Sequence, residues 1–129
     1  MKKRVALLLV GLISGMAVAL AQNVPVGVVV ALKKGNPQGL DRYLGEKVNV
    51  IIQKQNSDLD KAAAYSTLET FFNSNPVRGF EVRHEGQREG SSFVVGMLKT
   101  DNGDFRVNCF FKRIQNKYFI HQIRIEKNP

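Results

Sequence analysis

Apolar residues recur at two different periods along this chain, and the period changes near residue 77. Upstream the spacing is mainly helical. Asn23 and Pro25 read as a helix start, a cap followed by a first-turn proline, and Val26, Val29, Val30 and Lys33 share one side until Gly35 stops the run. The valine content leaves a strand as the alternative there. Asn36-Pro37 repeats the start signal for a short second helix, with Leu40, Tyr43 and Leu44 on one side and Gly45 as its end. Val48, Val50 and Ile52 alternate with Lys47, Asn49 and Gln53, the pattern of a half-buried strand. Ser57 is expected to cap a longer helix with Asp58 and Asp60 in its first turn. Its stripe is Ala64, Tyr65, Leu68, Phe71 and Phe72, and Asn73-Ser74-Asn75-Pro76 ends it.

From Val77 onward the period is two. Phe80, Val82 and His84 alternate with Glu81, Arg83 and Glu85; a polar loop, Gly86 to Gly90, leads to a strand around Phe93 to Lys99; a last strand runs from Tyr118 to Glu126. Asn102-Gly103 is the strongest hairpin signal, because both residues tolerate positive φ. A two-residue loop there pairs Asp101 with Asp104, Leu98 with Val107, Gly96 with Cys109 and Val94 with Phe111. Paired residues share a face, so Val94, Leu98, Phe105, Val107, Cys109 and Phe111 turn toward the helices. A three-residue turn before the last strand sets His121, Ile123 and Ile125 opposite Phe111, Cys109 and Val107, and Arg106 opposite Glu126. A two-residue turn would send Ile123 and Ile125 to the polar side. The opposite face then carries Phe93, Val95, Met97, Phe110 and Ile120 beside Arg106, Asn108, Lys112 and Arg124. An apolar patch of that kind marks a binding or dimer surface.

The beginning of the chain is an address. Lys2, Lys3 and Arg4 precede an uncharged apolar run of 16 residues, Val5 to Leu20, and Ala19 and Ala21 place small residues before Gln22. This is the layout of a secretory signal peptide cut between Ala21 and Gln22. A transmembrane anchor, the alternative, needs about 20 predominantly apolar residues, and Gly11, Ser14 and Gly15 interrupt this run. Two regions result: residues 1–21 as signal peptide and residues 22–129 as a single α+β domain with no membrane span, exported to a periplasm or the outside of a bacterium. Cleavage removes three basic residues and lowers the formal net charge from +8 to +5. Cys109 is the sole cysteine, so no intrachain disulfide or cysteine-rich zinc site exists.

Two short helices, a strand, a longer helix and four long antiparallel strands resemble the nuclear transport factor two-like (cystatin-like) fold. Phe105-Arg106-Val107, Phe111-Lys112, Tyr118-Phe119-Ile120 and Gln122-Ile123-Arg124-Ile125 look like its closing hairpin. More narrowly, the chain is similar to a family of small secreted bacterial proteins of this fold, a domain of unknown function. The resemblance implies a cone-shaped α+β architecture, order α-α-β-α-β-β-β-β, with N-terminal helices packed on a curved antiparallel sheet. The wider fold hosts isomerases, dehydratases, small-ligand binders and dimerisation modules, so it assigns no activity by itself.

Enzymes of this fold place an Asp or His base inside the cone, with a Tyr or acid at the developing oxyanion. Here His121, His84, Tyr43, Tyr65, Asp41 and Glu69 are the candidates, with His121, Tyr65, Tyr43, His84 and Phe111 expected to line a pocket. No motif sets a carboxylate beside either histidine. No metal-ligand spacing and no glycine-rich phosphate loop is present, and no cofactor is implied. The basic residues are scattered among Glu81, Glu85 and Glu126, which does not describe a nucleic-acid surface. The expectation is an exported non-catalytic domain, a homodimer through the second sheet face, that binds a small apolar or amphipathic ligand or an envelope protein. A cone-pocket lyase or isomerase with His121 as base is the alternative. An anion-binding surface around Arg106, Lys112 and Arg124 is the third.

Overall fold

The computed structural model describes residues 24–128, so the expected signal segment, its expected Ala21–Gln22 cleavage point and the expected Asn23 cap lie outside the described residues. Helices α1 (Val26–Lys34) and α2 (Pro37–Asp41) lead into strands β1 (Leu44–Ile52) and β2 (Gln55–Asp60). Helix α3 (Lys61–Ser74) follows, and then β3 (Val77–Arg88), β4 (Ser91–Thr100), β5 (Gly103–Ile114) and β6 (Lys117–Lys127). The strands form one six-stranded sheet in the order β2-β1-β6-β5-β4-β3. Every pairing is antiparallel except β1 with β6. The architecture is the expected α+β one with one further strand, β2.

The helices meet the expectations unevenly. Gly35 ends α1 in the left-handed conformation, and Asn36 caps α2 by accepting from the Gln38 amide at 3.1 Å. The buried side of α1 is Val28, Ala31 and Leu32 rather than the valine side, which leaves Val26 66% and Val30 41% exposed. Residues 55–60 are strand because β1 turns back through Gln53 and Lys54, both at positive φ, and Ile52 pairs with Gln55. That tight turn was hidden in a Gln-Lys pair, and the segment QNSDLD has little β propensity of its own. The cap of α3 is therefore Asp60, whose carboxylate accepts from the Ala63 amide at 2.8 Å, and not Ser57. The stripe of α3 buries Ala64, Leu68, Phe71 and Phe72 against the sheet.

Strand parity decides everything else. Burial along β4 alternates without a break, and the core takes Val94 and Leu98 from it together with Phe105, Val107, Cys109 and Phe111 of β5. The β4–β5 register differs from the expected one by two residues: Thr100 pairs with Gly103, Leu98 with Phe105 and Val94 with Cys109. The turn is Asp101-Asn102. Thr100 Oγ1 closes it by donating to the Gly103 carbonyl at 2.7 Å, and Asn102 Nδ2 donates to the Ser74 carbonyl at the end of α3. A shift of two leaves each side chain on its expected face, whereas a shift of one would invert them all.

The bulges at His121 and Arg83 do invert side chains. The β5–β6 turn has two residues, Gln115 and Asn116, both at positive φ. It sets Phe111 opposite Ile120, while Phe110 pairs with Gln122, so His121 is the extra residue. The bulge reconciles a two-residue turn with buried Ile123 and Ile125. It also reverses two assignments: Ile120 is fully buried and leaves the outer face, and His121 is exposed instead of lying beside Phe111 and Cys109. In β3, Val82 pairs with Gly96 and His84 with Val95, which makes Arg83 the extra residue and throws His84 off the Phe80 face. Bulges of this kind also bend the sheet.

Candidate functional site

The side of the sheet away from the helices carries an apolar row. Phe93, Val95 and Met97 of β4 and Phe110 of β5 are half-buried there, and Phe93 pairs directly with Phe110. The Phe93 ring lies 6.3 Å from that of Phe110 and 5.3 Å from the His84 imidazole, centroid to centroid. Gly86, opposite Phe93, makes room for the ring: a Cβ at that position would meet it at 2.6 Å. On one flank Asn49 Nδ2 donates to Asn56 and Asp58, and Gln122 Nε2 donates to Asn49 Oδ1 at 2.8 Å, a polar ladder across three strands. On that same side of the row, along β5 and β6, Arg106, Asn108, Arg124 and Glu126 surround a shallow depression. Arg124 donates to Glu126 at 2.7 Å, and the Asn108 side-chain oxygen is hidden from solvent without a hydrogen-bond partner among the described residues.

The inner, helix-facing side offers less chemistry than expected. Phe111 is fully buried in the core cluster. Tyr43 lies against Gly27 with the Arg42 guanidinium 5.7 Å from its ring. Tyr65 reaches out to Glu69, donating at 3.3 Å, and partial burial followed by the Glu69 carboxylate holds its phenol above the ordinary range. Neither tyrosine stands with a histidine. His121 and His84 occupy the outer side, so the general-base arrangement of His121 with Tyr65 or Tyr43 inside the cone is not formed. Burial pushes the Cys109 thiol far up, leaving it protonated and inert.

Two clefts escaped the sequence reading. One, about 520 Å³, opens between the β1–β2 hairpin and α3. Its floor is Val50, Leu59, Phe71 and Phe105, and its rim is neutral, with Ser57, Thr67 and Thr70 among the polar groups. Thr67 and Thr70 hydroxyls donate to the Ala63 and Ser66 carbonyls, which leaves their oxygens as acceptors. The signal for this cleft was unreadable without β2. The other, about 730 Å³, lies where β1 parts from β6 and gathers Lys47, Lys61, Lys112, Lys117 and His121. The anion-binding trio of the sequence is thereby divided: Lys112 lines this cleft, while Arg106 and Arg124 sit in the depression beside Glu126.

A helical layer on one side of a bulged, six-stranded sheet in this order is the nuclear transport factor two-like fold. Structural likeness agrees with it. An NTF-2 like protein of unknown function from Silicibacter pomeroyi matches with a TM-score of 0.62 at 12% identity, covering 89% of this chain and 98% of that one. Residues 26–126 match the model of the domain of unknown function DUF4783, and the chain belongs to that family. Crystal structures of DUF4783 family proteins are similar over nearly their whole length. The Bacteroides fragilis protein is 62% identical, with a TM-score of 0.80, covering 81% of this chain and 99% of that one. The Bacteroides ovatus protein is 50% identical, with a TM-score of 0.82, covering 84% and 98%. No curated protein matches the chain.

Proposed function

We propose that this domain is an exported, non-catalytic binding module that pairs with a second copy of itself through the outer sheet face. The observation that carries the reading is the apolar row Phe93, Val95, Met97 and Phe110 on the side away from the helices. Rows of this kind mark interaction surfaces on soluble domains. An isologous dimer needs a patch complementary to itself, and the rim supplies both signs, Arg106 and Arg124 with Glu81 and Glu126. The hidden, unpaired Asn108 oxygen, whose unsatisfied state costs about 1–3 kcal/mol, would gain from a donor brought by a partner molecule. Export rests on the charged start, apolar run and Ala21-Gln22 junction of the first residues.

Sedimentation velocity of a chain of residues 22–129 at micromolar concentration tests the pairing. The expected result is a dimer that Phe110→Asp splits into folded monomers. A wild-type monomer that stays soluble at that concentration overturns the reading. Small-ligand binding is assigned to the neutral cleft beside α3, whose apolar floor and acceptor rim suit an uncharged amphipathic molecule. An apolar dye such as Nile red is expected to bind there and to be displaced by Thr70→Trp; retention of the dye by that variant contradicts the assignment.

A further inference from the structure

The cleft where β1 parts from β6 gathers unpaired cations over an apolar floor. Its shape follows from register. Leu44 pairs with Ile120 and Asn49 with Gln122, so four residues of β1 face the single residue His121 of β6, and β1 bows away. Gly45 permits the close approach that precedes the bow, where a Cβ would stand 3.2 Å from the Ile120 carbonyl oxygen. The floor is Leu44, Phe119 and Ile120, continued at the rim by Ile114, which is 51% exposed.

The charges around it are unbalanced. Lys47, Lys61, Lys112 and Lys117 are opposed in the cleft by Glu46 alone. None of the four lysines joins an ion pair among the described residues, whereas Asp101, Glu81, Asp104 and Glu126 are paired elsewhere. Asp60, paired with Lys47 along the ladder, keeps its charge but caps α3 through the Ala63 amide. It is not among the residues lining the cleft, where the cations outnumber the acids even when it is counted. Lys61 is the first residue of α3, where the helix dipole already presents positive charge. Partial burial, and then the Lys112 ammonium, lowers the His121 pKa from its ordinary value. Each of these strains would be relieved by an anion.

We infer that this cleft binds an anionic amphiphile, its phosphate or carboxylate head among Lys47, Lys61, Lys112 and Lys117 and its aliphatic chain along Leu44, Phe119 and Ile114. A head group alone would gain only screened attraction at exposed lysines, and a chain alone would leave the cations unmatched. The two together match what the cleft presents.

The test is titration of residues 22–129 with dodecyl phosphate below its micelle threshold, followed through the His121 imidazole resonances. Saturable binding with a raised His121 pKa is expected. Inorganic phosphate is expected to bind at least about tenfold more weakly, since each buried CH₂ contributes about 0.8 kcal/mol. The double variant Lys47→Gln/Lys112→Gln, altered only at exposed positions, should keep the wild-type melting temperature and lose binding. Binding of uncharged dodecyl maltoside with the same affinity, full binding by the double variant, or no dodecyl phosphate binding overturns the inference. Vesicles of phosphatidylglycerol identify the source: co-sedimentation that the double variant loses points to a lipid surface, and its absence alongside dodecyl phosphate binding points to a free amphiphile.

Discussion

Deleting His121 and deleting Arg124 each remove one exposed residue from β6, yet the register assigns them very different costs. His121 is the extra residue of a bulge, between the pairs Phe111 with Ile120 and Phe110 with Gln122. Without it the ladder closes into a regular one, and Ile120 and Ile123 still point inward. What remains is a local adjustment of β1, on the order of 1 kcal/mol, somewhat above the roughly 0.5 kcal/mol usual for a surface substitution. Arg124 stands in unbroken ladder opposite Asn108. Its removal either turns Ile125 outward and carries Glu126 in against Val107, or consumes the bulge, turning Ile123 outward and carrying Gln122 in against Cys109. Each isoleucine is fully buried. Emptying such a site costs about 2–5 kcal/mol, and enclosing the Glu126 carboxylate or the Gln122 amide adds about 2 kcal/mol or more, so the total is at least about 4 kcal/mol. At roughly 4–8 °C per kcal/mol, deletion of His121 should lower the melting temperature by no more than about 8 °C, and deletion of Arg124 by at least about 16 °C. Thermal unfolding followed by circular dichroism reads both, with His121→Ala as the control near wild type. Equal losses, or the reverse order, would refute the bulge and with it the inside–outside assignment of β6.

Gly96→Ala should destabilise by about 1–3 kcal/mol, because its Cβ would run into the Phe80 ring and the fixed Glu81 carbonyl, while Gly79→Ala, with open space around it, should not; melting temperatures check both. The Cys109 thiol should stay unlabelled by a disulfide reagent at pH 8 until the chain is unfolded, and rapid labelling of native protein would contradict its burial. His121 titrates below its ordinary 6.5, so between the two values the native state holds fewer protons than the unfolded one, and stability rises with pH across that window. Lys112→Gln should move the imidazole toward 6.5 in an NMR titration and flatten that slope.

The sheet faces were legible because side-chain period survives a register error of two. Leu98 and Phe105 were expected inside and are, although their pairing partners differ. Both histidines were misplaced for one reason: a bulge adds a single residue, at Arg83 and at His121, and nothing in Val82-Arg83-His84 or Ile120-His121-Gln122 announces it. The buried side of α1 went to Val28, Ala31 and Leu32 over an equally apolar valine side, a choice made by tertiary packing. β2 was missed because its turn, Gln53-Lys54, takes positive φ without glycine or asparagine; it is held from outside, the Gln53 amide donating to the Ile125 carbonyl at 2.9 Å. The neutral cleft depends on β2 and the cationic one on the parting of β1 from β6, so neither was readable from spacing.

Met97 is the single methionine of residues 22–129, and it stands in the apolar row of the outer face. A ¹³C-methyl label therefore places one reporter on the proposed mating surface. Its resonance is predicted to move as the protein is diluted from millimolar to low micromolar, and to reach at the dilute limit the position it holds at every concentration in Phe110→Asp. A single sharp Met97 resonance that dilution leaves unchanged and Phe110→Asp does not release from concentration dependence, alongside a monomeric mass, would contradict pairing through this face.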